Sequence, residues 1–467
     1  MERRNALKLI PLSLAGITAF SRGTKARDKT PLALQFTSRM REQLDRIKST
    51  QSDELLETSY RVAETVKSGN KCYISWDMGH RTTYDIWPNR PGDTDIFVKE
   101  FPAKAEKGDL IITNAAASKE LIEKLRTFHE QGVFIIGGPR SWGGDCIGSE
   151  LIVPEIRTLK VRPFADLWIE LYETAYGAVV NVPGSPYPMG PSSGGSGVMT
   201  YWMIIADAAR LLARNGKSFT VYGDEPSLNS DTDKVNLNHP LGELYYEKTI
   251  AQQRTVDNEI DRISRIATMA VHSVLRGGRL YIYSRYEPYA CAECFARRGG
   301  LGLAFGVYGP PEKLVLMDDP VQLGKMDLRF KPTSKDTVIM GLARPDDPDD
   351  LASLDYFRKI GMRVASIGPA TRDGAVPGGR TVPKETDVHV GDACDTYGLF
   401  VIPGAKQKIC PTSGFMVNQF LWAICLEIAE QIIDRTGTVP AIYLNGAIEG
   451  GMERSDEVKK LLRERGY

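Results

Sequence analysis

The chain contains an internal repeat, and this repeat constrains the fold more than any other feature of the sequence. Short groups of residues recur in the same order in the two halves of the 467-residue chain. The groups in the first half are Val66, Gly69, Lys71, Tyr73 and Ile74, then Asp109, Ile111 and Ile112, then Phe128 and Gly132, and then Pro191, Ser192 and Ser193. Their counterparts are Val274, Gly277, Arg279, Tyr281 and Ile282, then Asp336, Val338 and Ile339, then Phe357 and Gly361, and then Pro411, Thr412 and Ser413. Self-similarity over so long a period predicts two copies of one domain.

The length of the chain agrees with this interpretation. At roughly 100–200 residues per domain, 467 residues allow about two to four domains. We place the first domain at 35–225, a connector at 226–249 and the second domain at 250–467. The connector is assigned where Asp, Asn, Ser and Pro are frequent and no hydrophobic period is sustained.

Within each copy, short apolar runs alternate with helical patterns, which predicts βαβ units and a parallel sheet. The predicted strands are 71–75, 109–113 and 133–136 in the first copy and 279–283, 336–340 and 363–367 in the second. In such sheets, ligands bind beyond the carboxyl ends of the strands. Functional residues are therefore expected in the loops that follow the strands.

Residues 1–26 have the pattern of an export signal. Arg3 and Arg4 precede an apolar run from Leu9 to Phe20, which is too short to span a bilayer stably. The paired arginines resemble the twin-arginine signal, with Ala6 where an aromatic residue is usual. We therefore expect a periplasmic or exported protein with no membrane span once the signal is removed. The alternative is a disordered or helical amino-terminal arm.

Charge and cysteine content exclude several classes of function. Lys and Arg total 59, as do Asp and Glu, so the net charge of zero offers no overall attraction for nucleic acid or an anionic membrane. Cys291 and Cys294 form a Cys-x-x-Cys near a predicted helix start, but no second Cys or His pair completes a zinc site. We expect no metal and no cofactor. A redox pair and a plainly packed helix both remain open for these cysteines.

The second copy carries an ordered series of short motifs. They are a strand at 280–283, the loop 284–289, Ala292 with Glu293, Arg298 to Leu301, Gly391 to Ala393, Pro411 to Ser413 and Asn445 to Gly451. With these motifs, both copies resemble the SIS (sugar isomerase) domain, the flavodoxin-like phosphosugar module found in phosphosugar isomerases, the isomerase half of glucosamine phosphate synthase and muramic acid phosphate etherases. The second copy is the clearer one, and its order of motifs is similar to a group of uncharacterised bacterial proteins with one SIS module. The resemblance implies an α/β fold with two flavodoxin-like parallel-sheet SIS domains that form an internal pseudo-dimer. Further assembly into a homo-oligomer is compatible with it.

The resemblance also implies a sugar or sugar phosphate as the ligand. Hydroxyl-bearing helix starts can hold an anion through backbone amides and the helix dipole, although helix capping explains such residues equally well. Most other hydroxyls that the family carries after the second strand are absent here, so the ligand need not be phosphorylated. Three arginines could hold a phosphate or carboxylate by paired hydrogen bonds, or could be surface charges. The candidate ligand-binding residues are Arg81, Thr82, Thr83, Asn114, Ser118, Ser192, Ser193, Arg285, Arg344, Thr412 and Ser413.

Aldose–ketose isomerisation needs a base that moves a proton between adjacent carbons, and usually an acid that opens the ring. Glu293 lies where the resemblance often places a carboxylate, and Glu287 lies in the preceding loop, so both are candidate bases. His80 is the candidate acid, because imidazole titrates near neutrality. Glu293 could instead only favour a helix dipole, and His80 could be a structural loop residue. The sequence thus predicts a sugar isomerase or lyase, with a catalytically inactive carbohydrate-binding or sensing protein as the alternative.

Overall fold

The computed structural model describes residues 30–75, 91–114, 118–139, 143–223, 235–285, 299–308, 315–317, 331–371, 376–394, 398–403, 405 and 407–464. In the first half, a long helix leads into a series of short strands and helices and ends with a hairpin and a second long helix. These elements are α1 (Leu32–Lys67), β1 (Cys72–Ser75), β2 (Leu110–Thr113), α2 (Lys119–Glu130), β3 (Phe134–Gly137), α3 (Pro154–Arg157), β4 (Leu167–Trp168), β5 (Ala178–Asn181), β6 (Pro188–Pro191) and α4 (Ser193–Arg214).

The second half begins with two helices that have no counterpart in the described part of the first half. It then repeats this order, with two additional strands after its first strand and an additional helix at its end. Its elements are α5 (Leu241–Gln253), α6 (Thr255–Asn258), α7 (Ile260–Leu275), β7 (Leu280–Ser284), β8 (Ala304–Tyr308), β9 (Val315–Met317), β10 (Thr337–Gly341), α8 (Pro348–Ile360), β11 (Arg363–Ile367), α9 (Val382–Glu385), β12 (Val388–Val390), β13 (Phe400–Val401), β14 (Lys408–Ile409), α10 (Ser413–Thr436) and α11 (Gly451–Glu464).

Two parallel sheets confirm the predicted α/β class. The first has the order β1-β2-β3-β4, and the second has the order β12-β11-β10-β7-β8-β9, in which only β9 pairs in the antiparallel direction. Numbered along the chain, the parallel strands of the second sheet follow the flavodoxin-like order 2-1-3-4-5. In the first sheet, the segment at Val98 stands where β8 stands in the second, because Ile74 N donates to Val98 O at 2.9 Å and Val98 N to Cys72 O at 2.8 Å.

A pair of aspartates shows that the repeat is structural as well as sequential. Asp109 and Asp336 each precede the second main strand of their copy. The Asp109 carboxylate accepts hydrogen bonds from Lys71 N and Glu106 N, both at 2.9 Å. The Asp336 carboxylate accepts them from Arg279 N at 2.8 Å and Thr333 N at 2.6 Å. Each carboxylate therefore ties the start of one strand to the turn that leads into the next.

The six predicted strands agree with the observed strands to within one residue at each end. The interval 226–249, predicted to be a connector, overlaps helix α5, which begins at Leu241. The Asp207 carboxylate of α4 accepts hydrogen bonds from Leu241 N at 2.9 Å and Gly242 N at 3.0 Å and so satisfies the first amides of α5. This tertiary contact fixes the start of a helix that the local sequence pattern does not reveal.

A layer of helices joins the two copies. Helix α1 packs against both α4 and α10, α7 packs against α10, and α5 packs against α4, and all of these helices contribute to one hydrophobic core. Among the described helices, α10 is long and apolar enough by length and composition to cross a membrane. Most of α10 is buried inside this core, which accounts for its apolar character.

Each hairpin donates a hydrogen bond to the opposite copy just before its long helix begins. Gly190 N, at the end of the first hairpin, donates to Gly299 O at 3.2 Å, and Cys410 N, at the end of the second, donates to Gly92 O at 3.1 Å. The two residues occupy equivalent positions and both have positive φ, +78° for Gly190 and +62° for Cys410. Positive φ is costly for a residue with a side chain, so the second copy retains this turn despite local strain.

Candidate functional site

Both long helices that close the copies begin with a pair of hydroxyl residues, as predicted. Ser192 and Ser193 start α4, Thr412 and Ser413 start α10, and all four are buried. The side chains of Ser192 and Thr412 stand at the N-cap positions but cap no helix amide there. Simple capping therefore does not explain these two N-cap residues.

Ser118 and Asn114 flank the loop that follows β2, and the structure gives them different environments. Ser118 is exposed, and its hydroxyl caps α2 by accepting from Leu121 N at 3.2 Å, which is a structural role. Asn114 is buried, and its Oδ1 has no hydrogen-bond partner within the part of the chain that the structure describes. A buried acceptor without a partner costs about 1–3 kcal/mol, so this carbonyl at the carboxyl edge of the first sheet needs an explanation.

Arg285 and Arg344 follow β7 and β10, and the same carboxylate contacts both of them. Arg285 Nη1 donates to Asp347 Oδ1 at 3.3 Å, and Arg344 Nε lies 4.0 Å from Asp347 Oδ2. Arg285 also pairs with the carboxylate of Asp349, and Arg344 Nε lies 3.8 Å from Asp346 Oδ1. The two predicted guanidinium groups are thus gathered at the carboxyl edge of the second sheet, each paired with acidic side chains.

Asp350 lies beside this group and is fully buried in the first turn of α8. The Tyr283 hydroxyl donates a hydrogen bond to Asp350 Oδ1 at 3.2 Å and accepts one from Ser353 Oγ at 3.0 Å. Burial first, and the negative charge of Asp347 second, raise the pKa of Asp350 to about 8. Asp350 Oδ2 has no hydrogen-bond partner among the described residues.

Asp347, Asp349 and Asp350 are absent from the sequence-based set of candidates. Their signal in the sequence is the group of four aspartates around Pro348, which begins six residues after the end of the predicted strand 336–340. Such a group is also typical of an ordinary helix N-terminus. Asp347 has this capping role, because its Oδ1 accepts from Asp349 N at 3.0 Å and from Asp350 N at 3.1 Å. The burial of Asp350 follows only from the packing of α8 on the sheet.

A second polar constellation lies at the β12 edge of the same sheet. Ser366 Oγ is 2.8 Å from His389 Nδ1, and His389 Nε2 is 3.1 Å from Asp392 Oδ1. The order of side chains resembles a serine nucleophile with its base and acid. Ser366 Oγ is also 2.8 Å from the Thr386 hydroxyl, so its hydrogen-bonding capacity is already used within the described part of the chain, unlike that of Asn114 Oδ1 and Asp350 Oδ2. This network stabilises the edge of the sheet.

Several predicted residues lie outside the described residues. They are the catalytic candidates His80, Glu287 and Glu293, the binding candidates Arg81, Thr82 and Thr83, and the cysteines Cys291 and Cys294. Within the described ranges, no three His, Cys, Asp or Glu side chains lie close enough together to hold a metal ion.

Comparisons with known proteins find similarity to solved structures alone. No family model matches the chain, and no curated protein matches it. A candidate phosphosugar isomerase from Silicibacter pomeroyi DSS-3 is 11% identical, with a TM-score of 0.46, covering 88% of this chain and 100% of that one. A candidate sugar binding protein from Salmonella typhimurium LT2 is 10% identical, with a TM-score of 0.44 over 84% and 98% of the two chains. Glucosamine-6-phosphate deaminase from Thermotoga maritima is 7% identical, with a TM-score of 0.40 over 89% and 98%. Similarities of this size assign neither a family nor an activity to this chain.

Proposed function

We propose that the chain binds a sugar or sugar derivative at the carboxyl edges of its sheets and acts on it as a sugar isomerase-like protein. The observation that carries this proposal is the presence, in each copy, of a buried oxygen without a partner on the carboxyl side of the sheet. Asn114 Oδ1 directly follows β2, Asp350 Oδ2 lies in the first turn of the helix that follows β10, and neither has a hydrogen-bond partner within the described ranges. Buried polar oxygens without partners on this side of a sheet suit sugar hydroxyls, which both donate and accept hydrogen bonds.

The proposed chemistry is proton transfer, by isomerisation or lysis, with Glu287 or Glu293 as the base and His80 as the acid. These residues belong to the loops that follow β1 and β7 in the sequence. The chain beyond those loops returns at Gly92 and Gly299, each hydrogen bonded to the hairpin of the opposite copy. Those contacts support an arrangement in which the residues of each loop contribute to a binding site at the hydroxyl-bearing helix start of the other copy. Binding or sensing without turnover is the second candidate, supported by the loss of hydroxyls after β2 and β10.

Ligand screening followed by isotope exchange separates these functions. Thermal-shift and calorimetric titrations with neutral sugars, uronates and sugar phosphates identify a ligand class. Proton NMR in D₂O then reports exchange at the sugar carbons, which isomerisation through an enediol requires and binding alone does not produce. Exchange that is lost in Glu287→Gln or Glu293→Gln supports the enzyme, with the exposed Glu457→Gln as a matched control. Binding without exchange supports the sensor, and the absence of any binding contradicts both.

We also propose that the chain functions in the periplasm or outside the cell, because of the twin-arginine-like residues Arg3 and Arg4. A folded protein exported in this way would meet mainly unphosphorylated sugars, which agrees with the loss of phosphate-binding hydroxyls from the loops.

A further inference from the structure

The start of helix α8 is a potential anion site that is already filled from within the chain. Helix starts attract anions because their first amides lack partners within the helix and the helix dipole is positive there. At α8, the amides of Asp349 and Asp350 both donate to Asp347 Oδ1, at 3.0 and 3.1 Å. The Asp347 side chain is only 4% exposed, so it cannot easily make room for an external anion.

The two guanidinium groups beside this helix start are likewise paired with internal carboxylates. Arg285 contacts Asp347 and Asp349, and Arg344 faces Asp346 and Asp347. Among the described side chains of this edge, the carboxylates of three aspartates face two guanidinium groups, which is an excess of one negative charge. A phosphate dianion placed here would meet like charge where a phosphate site offers opposite charge.

Asp350 provides an independent indication that a ligand completes this site. Its side chain is fully buried, and its Oδ2 has no hydrogen-bond partner in the described part of the chain. Since burial raises the pKa of Asp350 to about 8, this carboxyl group is mainly protonated at neutral pH. A protonated carboxyl both donates and accepts, so it can bond a sugar hydroxyl in either direction without attracting a charged group.

We propose that the carboxyl edge of the second sheet, formed by Arg285, Arg344 and the aspartates at 346, 347, 349 and 350, selects unphosphorylated sugars and excludes their phosphates. This inference rests on the proposed function, because it names the ligand class of the same edge. The guanidinium and carboxylate groups donate to and accept from sugar hydroxyls, while their combined charge repels the phosphate of an otherwise identical sugar.

Matched ligands and matched variants test this selection. Glucose and glucosamine are titrated by calorimetry beside their 6-phosphates, and inorganic phosphate is titrated as a probe of the anion site alone. The variant is Asp349→Asn, because this carboxylate is 43% exposed and its loss removes one of the negative charges that face Arg285. The control is Asp355→Asn, on the same helix, where a carboxylate 54% exposed also pairs with an arginine, Arg380.

We expect the wild type to bind an unphosphorylated sugar at least about tenfold more tightly than its phosphate. We expect Asp349→Asn to gain about five- to tenfold in affinity for inorganic phosphate at low salt, with Asp355→Asn unchanged. Equal or tighter binding of the phosphates by the wild type would overturn the selection while leaving sugar binding intact. An unchanged phosphate affinity in Asp349→Asn, with thermal stability maintained, would also overturn it. Binding of no sugar in either form would remove the proposed function and this inference with it.

Discussion

Removal of the Asp336 carboxylate should destabilise the second sheet by about 3–6 kcal/mol. Its two oxygens accept from Arg279 N and Thr333 N, and a hydrogen bond to a charged group contributes roughly 1.5–3 kcal/mol. Asp109 makes the same pair of backbone contacts in the first copy, to Lys71 N and Glu106 N. Asp109→Ala should therefore cost a similar amount, lower by about 1 kcal/mol because Asp336 also accepts from Thr333 Oγ1 at 3.1 Å.

Urea unfolding followed by both circular dichroism and tryptophan fluorescence measures these costs, and the two probes must coincide for a single free energy to be meaningful. The exposed Asp355→Ala is the control, expected to cost less than about 1 kcal/mol because its ion pair is at the surface. The double variant Asp109→Ala/Asp336→Ala should show additive costs, since the two carboxylates belong to different sheets. Costs that differ by more than about 2 kcal/mol between the copies would refute the equivalence of the two aspartates.

Three further predictions concern Asp350, Asp207 and the paired arginines at the amino terminus. Asp350 holds its proton to about pH 8 when folded, against an ordinary value of 3.8, so stability should fall as pH rises from about 4 to about 8, by at most about 5–6 kcal/mol. Asp350→Asn should flatten that dependence when urea midpoints are compared at pH 5 and pH 8.5. Asp207→Ala leaves the first amides of α5 and Nε of the buried Arg210 without their acceptor, and removes the charge partner of Arg210, so it should cost more than about 3 kcal/mol in the same assay. Replacing both Arg3 and Arg4 by lysine should retain the protein in the cytoplasmic fraction on immunoblots, and unchanged distribution would contradict the export signal.

Local patterns in the sequence are enough to predict the strands, because each strand is a short apolar run followed by its own turn signal. The parallel sheets and their duplication follow from the recurrence of these runs. Helix α5 is not predictable in the same way, since its first amides depend on Asp207 in a distant helix. The strained turn at Cys410 is equally hidden, because its equivalent Gly190 alone carries the residue type that suits positive φ.

In the candidate site too, the positions of residues along the chain are predictable from the sequence, whereas their tertiary contacts are not. Sequence reasoning places Ser192, Thr412 and both described arginines at strand ends or helix starts, because these positions depend on local order along the chain. The ion pairs of Arg285 with aspartates of α8 and its N-cap depend on where this helix packs. The burial that raises the pKa of Asp350 depends on the same packing. An acidic run at a helix start has the same sequence whether its aspartates face solvent or the core.

The reciprocal hydrogen bonds of the two hairpins affect whether either half of the chain can fold without the other. Gly190 N donates to Gly299 O, and Cys410 N donates to Gly92 O. In each half, the turn before the long helix therefore depends on a carbonyl oxygen of the other half. Neither half is self-sufficient in this respect. We expect two fragments, made by cutting the chain between positions 223 and 235, to fold completely only when they associate, because helices of both halves also share one hydrophobic core.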